Sequence, residues 1–225
     1  MIRCGSRPEA SGLDLFFRGT SQTIDGWVLV KATAISLAFC VLTLCGPQAA
    51  AAADAAAGKQ LAEGCAGCHG ENGVSQTPMT PSLAGQPDDY IQWQLVYFRS
   101  GARKSDVMGP IAQSLDNAAI RNLGAYYASL SPPKPQPAPA SDELAEFGGK
   151  LATLHRCKSC HGENYEGLGP AARLAGQRED VLLQALRDFK SGKRVGSGVA
   201  SMADVVFNLN DTDMQGLAHY MATRP

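Results

Sequence analysis

Cys65-Ala66-Gly67-Cys68-His69 and, ninety-two positions later, Cys157-Lys158-Ser159-Cys160-His161 are the two stretches on which the reading of the chain turns. Each is a C-x-x-C-H pentapeptide, the attachment signature of covalently bound c-type haem. Two thiols three residues apart on a helical turn share one face, so both reach the vinyl groups of one ring. The histidine that follows is carried under the iron as its proximal ligand. Other uses of paired cysteines fit less well. Zinc sites keep their two C-x-x-C pairs roughly 12–20 residues apart, whereas eighty-eight residues separate Cys68 from Cys157. A thioredoxin-like redox pair needs a preceding strand and a βαβ setting, and neither is visible. A disulfide within either pair would close a tight, strained loop and leave both histidines unexplained.

The chain has 225 residues, enough for one or two domains. Twenty basic and 21 acidic residues nearly balance, so nothing points to nucleic acid. Residues 1–53 read as a leader with a secretory signal peptide. Fourteen uncharged, largely apolar residues from Ala32 to Cys45 follow Lys31 and precede Gly46-Pro47 and an alanine run, the order of charged, apolar and small-residue regions in such signals. Cleavage is expected near Ala51–Ala53. The apolar run is short for a membrane span, although an uncleaved anchor, and with it membrane association, is the alternative. Lys31 sits far in, which places the true start near Val28 or Val30, and Leu44 argues against a lipoprotein site at Cys45. Cys4, Cys40 and Cys45 all fall in this leader. The mature chain would then hold no thiol outside the haem motifs, as suits an oxidising compartment.

From Asp54 onward the chain repeats itself, which sets the architecture. Gly64-Cys65 through Asn72 recurs as Arg156-Cys157 through Asn164. Leu83-Ala84-Gly85-Gln86 recurs as Leu174-Ala175-Gly176-Gln177, and Phe98 through Arg103 as Phe189 through Arg194. Met108 with Leu115 recurs as Met202 with Leu209. Two cytochrome-like lobes, 54–131 and 142–225, are expected, joined over 132–141 by a Pro-rich linker. Five prolines between Ser131 and Pro139 favour an extended spacer that joins neither core.

Each lobe reads as all-α. A first helix carries the cysteines (Gly58–Cys68 and Phe147–Cys160). A second spans Asp88–Ser100 and Glu179–Ser191. A third follows Asp116 in one copy and Asn210 or Asp211 in the other, as N-caps. Ile120, Leu123, Tyr127 and Leu130, like Met214, Leu217 and Met221, recur at helical spacing. Lobes this small bury little apolar surface alone, so haem is expected to complete each core and the apo-protein to fold poorly.

The sixth ligand separates electron transfer from chemistry at the iron. Met108 and Met202 stand 39 and 41 residues after their histidines, in expected loops before the third helix. A thioether there closes the iron to substrate and raises its potential. Met79 has no counterpart in the second copy, and Met214 and Met221 read as core. His155 reads as solvent-facing and His219 as a surface or partly buried side chain. Pro81 is placed to orient His69 through its carbonyl; Ala172 stands at that position in the second copy, without the φ restraint of proline. Arg103 and Arg194 are candidates to pair with haem propionates, or are solvated.

These combined motifs resemble the cytochrome c4 family over essentially all of residues 54–225. The resemblance implies two tandem class I cytochrome c lobes related by pseudo-twofold symmetry. It implies two covalently bound haem c groups, one on Cys65, Cys68, His69 and Met108, the other on Cys157, Cys160, His161 and Met202. It also implies a monomeric periplasmic electron carrier serving a terminal oxidase, a quinol–cytochrome c reductase or a dehydrogenase. The chain departs from its own symmetry at Ala172 and in a longer glycine-bearing loop, 195–201, before Met202, which makes the second haem's methionine bond the more labile expectation. Two further functions compete with the carrier. A dehydrogenase's cytochrome subunit would share these lobes. A two-haem peroxidase needs a releasable sixth ligand, against which the two matched methionines argue, so the chain is not expected to be an enzyme.

Overall fold

Asp54 and Asp142 begin the two lobes in the same way. The Asp54 carboxylate accepts from the N–H groups of Ala56 and Ala57 at 2.8 and 3.2 Å, and the Asp142 carboxylate from Ala145 at 2.9 Å, which satisfies orphan donors of a first turn. The computed structural model describes residues 52–139, 142–194 and 200–225. Apart from Ala52 and Ala53, the expected leader lies outside the described residues. The first lobe runs α1 (Ala55–Ala62), a 3-10 turn (Glu63–Cys65), α2 (Ala66–His69), α3 (Asp88–Ser100), α4 (Met108–Gln113) and α5 (Asn117–Ser129). The second runs α6 (Glu143–Leu154), α7 (Lys158–His161), α8 (Glu179–Lys190), α9 (Ala200–Val206) and α10 (Asp211–Ala222). Among the described residues there is no strand, only a single antiparallel bridge between Arg103 and Arg194. The fold is all-α, with two lobes.

The first helix of each lobe starts earlier than its pattern suggests, because of the aspartate caps, and stops before the cysteines. The haem motifs sit on separate one-turn helices, α2 and α7, after a 3-10 turn in one lobe and a left-handed Arg156 (φ 54°) in the other. The third helices begin as expected. Asp116 accepts from Ala119 at 2.7 Å, and Asn210 forms a reciprocal capping box with Asp213.

In each lobe the first helix crosses the last at a glycine. A Cβ on Gly58 would lie 2.0 Å from the Asn122 carbonyl oxygen, and one on Gly148 would lie 2.0 Å from that of Gly216. Backbone-to-backbone approach at this crossing lets α5 bury Ile120, Leu123, Tyr126 and Tyr127. It lets α10 bury Met214, Leu217, Ala218, Met221 and Ala222. One difference in the filling of the two lobes links a turn to the last helix. Gly73 (φ 69°) faces Tyr127 of α5, whose ring would be 3.1 Å from an added Cβ. The second lobe has Tyr165 in the same left-handed turn (φ 57°) and Met221 on its last helix, both 3 % exposed. The aromatic ring comes from the helix in one lobe and from the turn in the other.

The linker does join the cores. Pro132 lies against Gly85 and Pro133 against Gly176, where added Cβ atoms would stand 2.8 Å from Pro132 and 2.7 Å from the Pro133 carbonyl. Gln136 donates its backbone N–H to Ala222 at 2.9 Å. Polyproline is a spacer only when nothing fits its flat flank; here both Leu-Ala-Gly-Gln turns are bare glycine where it passes. Of the expected 195–201 loop, residues 195–199 lie outside the described residues, and Ala200 and Ser201 already belong to α9.

His219 ties three helices of the second lobe. Its Nδ1 lies 2.8 Å from Glu179 in the first turn of α8, and its Nε2 lies 2.8 Å from the Asp142 cap of α6. Burial would lower its pKa, but the Glu179 and Asp142 carboxylates outweigh that and raise it. Arg224 also acts on Asp142 and helps keep it ionised.

Two expectations follow from these contacts. Gly58→Ala or Gly148→Ala forces the helices apart, costing about 1–3 kcal/mol, read as a Tm lower by several degrees for a lobe of this size. The His219 contribution is complete below its unfolded pKa of about 6.5 and is lost as pH rises through the higher folded value. Thermal unfolding of wild-type and His219→Gln should therefore differ most below about pH 6.5 and converge as the pH rises past the raised folded value.

Candidate haem-binding sites

α2 and α7 carry the second cysteine and the histidine of each motif, and Cys65 and Cys157 stand immediately before them as N-caps. None of the four motif cysteines is in a disulfide; Cys65 and Cys157 are half-buried, Cys68 and Cys160 exposed. Burial pushes the Cys65 and Cys157 thiols up, in Cys65 partly offset by a hydrogen bond with Tyr127. His69 and His161 are buried. His69 Nδ1 stands 2.8 Å from the Pro81 carbonyl and His161 Nδ1 2.8 Å from that of Ala172. A carbonyl only accepts, so Nδ1 carries the proton and Nε2 presents a lone pair. Burial lowers both histidine pKa values and holds the rings neutral, the ligating form. The two distances are equal, so the proline is not what sets the bond.

The carbonyl-bearing loops are themselves anchored. Leu83 and Ala84 donate to the Gly73 carbonyl at 2.7 and 3.0 Å, and Leu174 and Ala175 donate to that of Tyr165 at 2.8 and 3.1 Å. Ser75 Oγ donates to the Cys68 carbonyl at 3.1 Å.

Met108 opens α4 and Met202 is the third residue of α9, so both expected ligands sit in short helices, not loops. Ser105 Oγ accepts from the Met108 N–H at 3.0 Å. Pro110 falls in the first turn, where its missing N–H leaves no bond unmade. Met202 and Cys157 both pack on the second-lobe core. Met108 is half-buried and stands outside the first-lobe cluster. Met214 and Met221 are core. Met79 is 53 % exposed and left-handed (φ 61°), and His155 is half-buried.

Arg103 and Arg194 meet where the lobes face each other. Arg103 donates to Gln94 at 2.7 Å, and Arg194 donates to Gln94 at 2.9 Å and to the Tyr90 hydroxyl at 3.3 Å. Each guanidinium also covers a phenylalanine, Phe98 or Phe189, at 4.5 Å. Burial, then its neighbour Arg194, holds Arg103 down to about 10. Burial alone would raise Tyr90, yet the two guanidiniums lower it. Arg194 Nε is buried without a partner, and among the described residues neither arginine has a carboxylate in salt-bridge contact. Two adjacent half-buried cations without a carboxylate partner suit anions, and a haem's propionates would be such anions. The cysteine pairs, neutral histidines with Nε2 presented, and this cationic seam together fit the group that the motifs specify.

A family model described as cytochrome c matches residues 55–131 and 145–225. The chain belongs to the cytochrome c family. Within it the chain is similar to several named members. The "Thiosulfate dehydrogenase electron acceptor" of Thiomonas intermedia (strain K12) is 35 % identical over 188 residues, 78 % of this chain and 85 % of that protein. Cytochrome c4 of Azotobacter vinelandii is 33 % identical, over 76 % of this chain and 89 % of that protein. The crystal structure of reduced recombinant cytochrome c4 from Pseudomonas stutzeri superposes with a TM-score of 0.71 at 29 % identity, covering 77 % of this chain and all of that one. With two C-x-x-C-H motifs in two tandem domains, this cytochrome carries two covalently bound haem c groups.

The glutamines of both Leu-Ala-Gly-Gln repeats and the aromatic exchange at Gly73 and Tyr165 were not assigned roles by the sequence. The repeat flagged the glutamines, but nothing local shows that a side chain reaches the other lobe.

Because Ala172 makes the same bond as Pro81, Pro81→Ala should leave both haem spectra unchanged. It should cost only about 0.4–1 kcal/mol, through a freer unfolded chain, measured by chemical denaturation of the holo-protein.

Proposed function

We propose that this cytochrome is a periplasmic electron shuttle in which His69 and Met108 ligate one iron and His161 and Met202 the other. The observation that carries the reading is the doubled arrangement: a buried neutral histidine held through Nδ1 in each lobe, with a methionine at the start of the short helix after α3 and after α8. Bound haem supplies a one-electron ferrous–ferric couple. The protein's part is to keep ligation the same in both states. The Pro81 and Ala172 carbonyls fix the ring planes and tautomers, and the thioethers of Met108 and Met202 close the positions at which substrate would enter. Arg103 and Arg194 would supply the positive charge that pairs with haem carboxylates.

The periplasm is supported by a chain whose only described cysteines are those of the haem motifs, and by a leader-like segment before Asp54. Electrons would leave to a terminal oxidase and arrive from a quinol–cytochrome c reductase or a dehydrogenase. The likeness to a thiosulfate dehydrogenase electron acceptor favours a dehydrogenase as the source, and makes service as the acceptor subunit of such an enzyme the second reading. Reduction of the purified cytochrome by thiosulfate in the presence of a thiosulfate dehydrogenase, but not by thiosulfate alone, supports that source. No reduction with both present removes it.

Ligation is tested by Met108→Ala and Met202→Ala. Each should abolish half of the charge-transfer band by which ferric haem reports methionine ligation, and each should lower the potential of one haem. A variant that retains the full band sinks the assignment of that methionine.

A further inference from the structure

The two glutamines of the Leu-Ala-Gly-Gln repeats reach out of their own lobes. Gln177 accepts from the Ser82 N–H at 2.9 Å through Oε1 and donates through Nε2 to the Ser82 carbonyl at 2.8 Å. Gln86 repeats this in reverse, accepting from the Arg173 N–H at 2.9 Å and donating to the Arg173 carbonyl at 3.0 Å. Gln86, Gln177 and Ser82 are all 5 % exposed or less. Each amide thus reads a backbone as a neighbouring strand would, with donor and acceptor both used. The residues gripped immediately follow Pro81 and Ala172, whose carbonyls hold His69 and His161.

We infer that Gln177 and Gln86 are crossed positioning residues: each sets the carbonyl–histidine bond, and hence the haem potential, of the opposite lobe. The inference rests on His69 and His161 being the proximal ligands. A histidine that donates to a well-fixed carbonyl is a stronger base toward iron and favours the ferric state. Gripping the peptide after the carbonyl from both its N–H and C=O sides holds that carbonyl on the imidazole. Loosening it weakens the bond and raises the potential of that lobe's haem.

The signature is the crossing. Gln177→Leu should raise the potential of the first-lobe haem and leave the second unchanged; Gln86→Leu should do the converse. Redox titration of the dihaem protein resolves two waves, and Met108→Ala and Met202→Ala assign them to lobes. A shift of the variant's own lobe, equal shifts of both, or no shift overturns the inference. A wave that neither methionine variant moves is a failure of the ligation reading instead, and is recognised as such before any glutamine variant is made. Hydrogen exchange of the holo-protein gives a readout free of the potential. The Ser82 amide should lose protection in Gln177→Leu and keep it in Gln86→Leu, with the Arg173 amide doing the opposite. Should Gln177→Leu fail to fold, Gln177→Met removes the donor and the amide acceptor at similar volume and length without adding a charge. It should still raise the first-lobe potential, and an unchanged one overturns the inference.

Discussion

A hydrogen bond of 2.8 Å from a buried histidine ring to a loop carbonyl, made once in each lobe, is the constraint around which this cytochrome is arranged. It fixes the ring's proton on Nδ1 and aims Nε2 away from the loop. For the bond to persist, the one-turn helix bearing the histidine and the loop bearing the carbonyl must be held against each other. The Gly73 and Tyr165 carbonyls do this by taking two N–H groups each from the returning Leu-Ala segment. The long helices supply the frame on which that small assembly rests.

That frame tolerates substitution as long as volume is conserved. Tyr127 over Gly73 and Met221 beside Tyr165 are two solutions of one packing problem. A non-glycine residue at positive φ costs on the order of 1 kcal/mol, and the buried ring of Tyr165 returns more than that, since burying an aromatic side chain contributes about 1.5–3 kcal/mol. Its edge-on contact with Tyr220, ring centroids 5.8 Å apart, adds a smaller share. The glycine crossings leave no such freedom, because the obstacle there is a backbone carbonyl.

What the sequence disclosed and what it withheld separate along one line. Features carried by neighbours in the chain were legible: the haem motifs, the span of α3, the caps Asp116 and Asn210, and the buried stripe of α5. So was the Pro81 carbonyl, from its place just before the repeated Leu-Ala-Gly-Gln turn. Features carried by space between repeats were not. Nothing in Pro132-Pro133 says that it will lie on Gly85 and Gly176, and nothing in a lone glutamine says that its partner sits 87 or 95 residues away. The aspartate caps of α1 and α6 were overlooked for another reason. Alanine and glutamate after them give no apolar period until the helix is under way, so the pattern starts later than the helix does.

The lobes are not equivalent, and the interface shows why. Asp180, held by Arg178 at 2.8 and 3.0 Å, accepts from the Met79 N–H at 2.9 Å, a second grip of the second lobe on the loop that carries Pro81. By the repeat, Asp89 should return that bond to residue 170. Residue 170 is Pro170, which has no N–H to give, and Asp89 instead ends near Gly169. The first lobe's proximal loop is therefore fixed by two side chains of its neighbour, and the second lobe's by one. A duplicated pocket thus acquires two different supports around its histidines, and a difference in support is one way in which a potential can be tuned without changing a ligand.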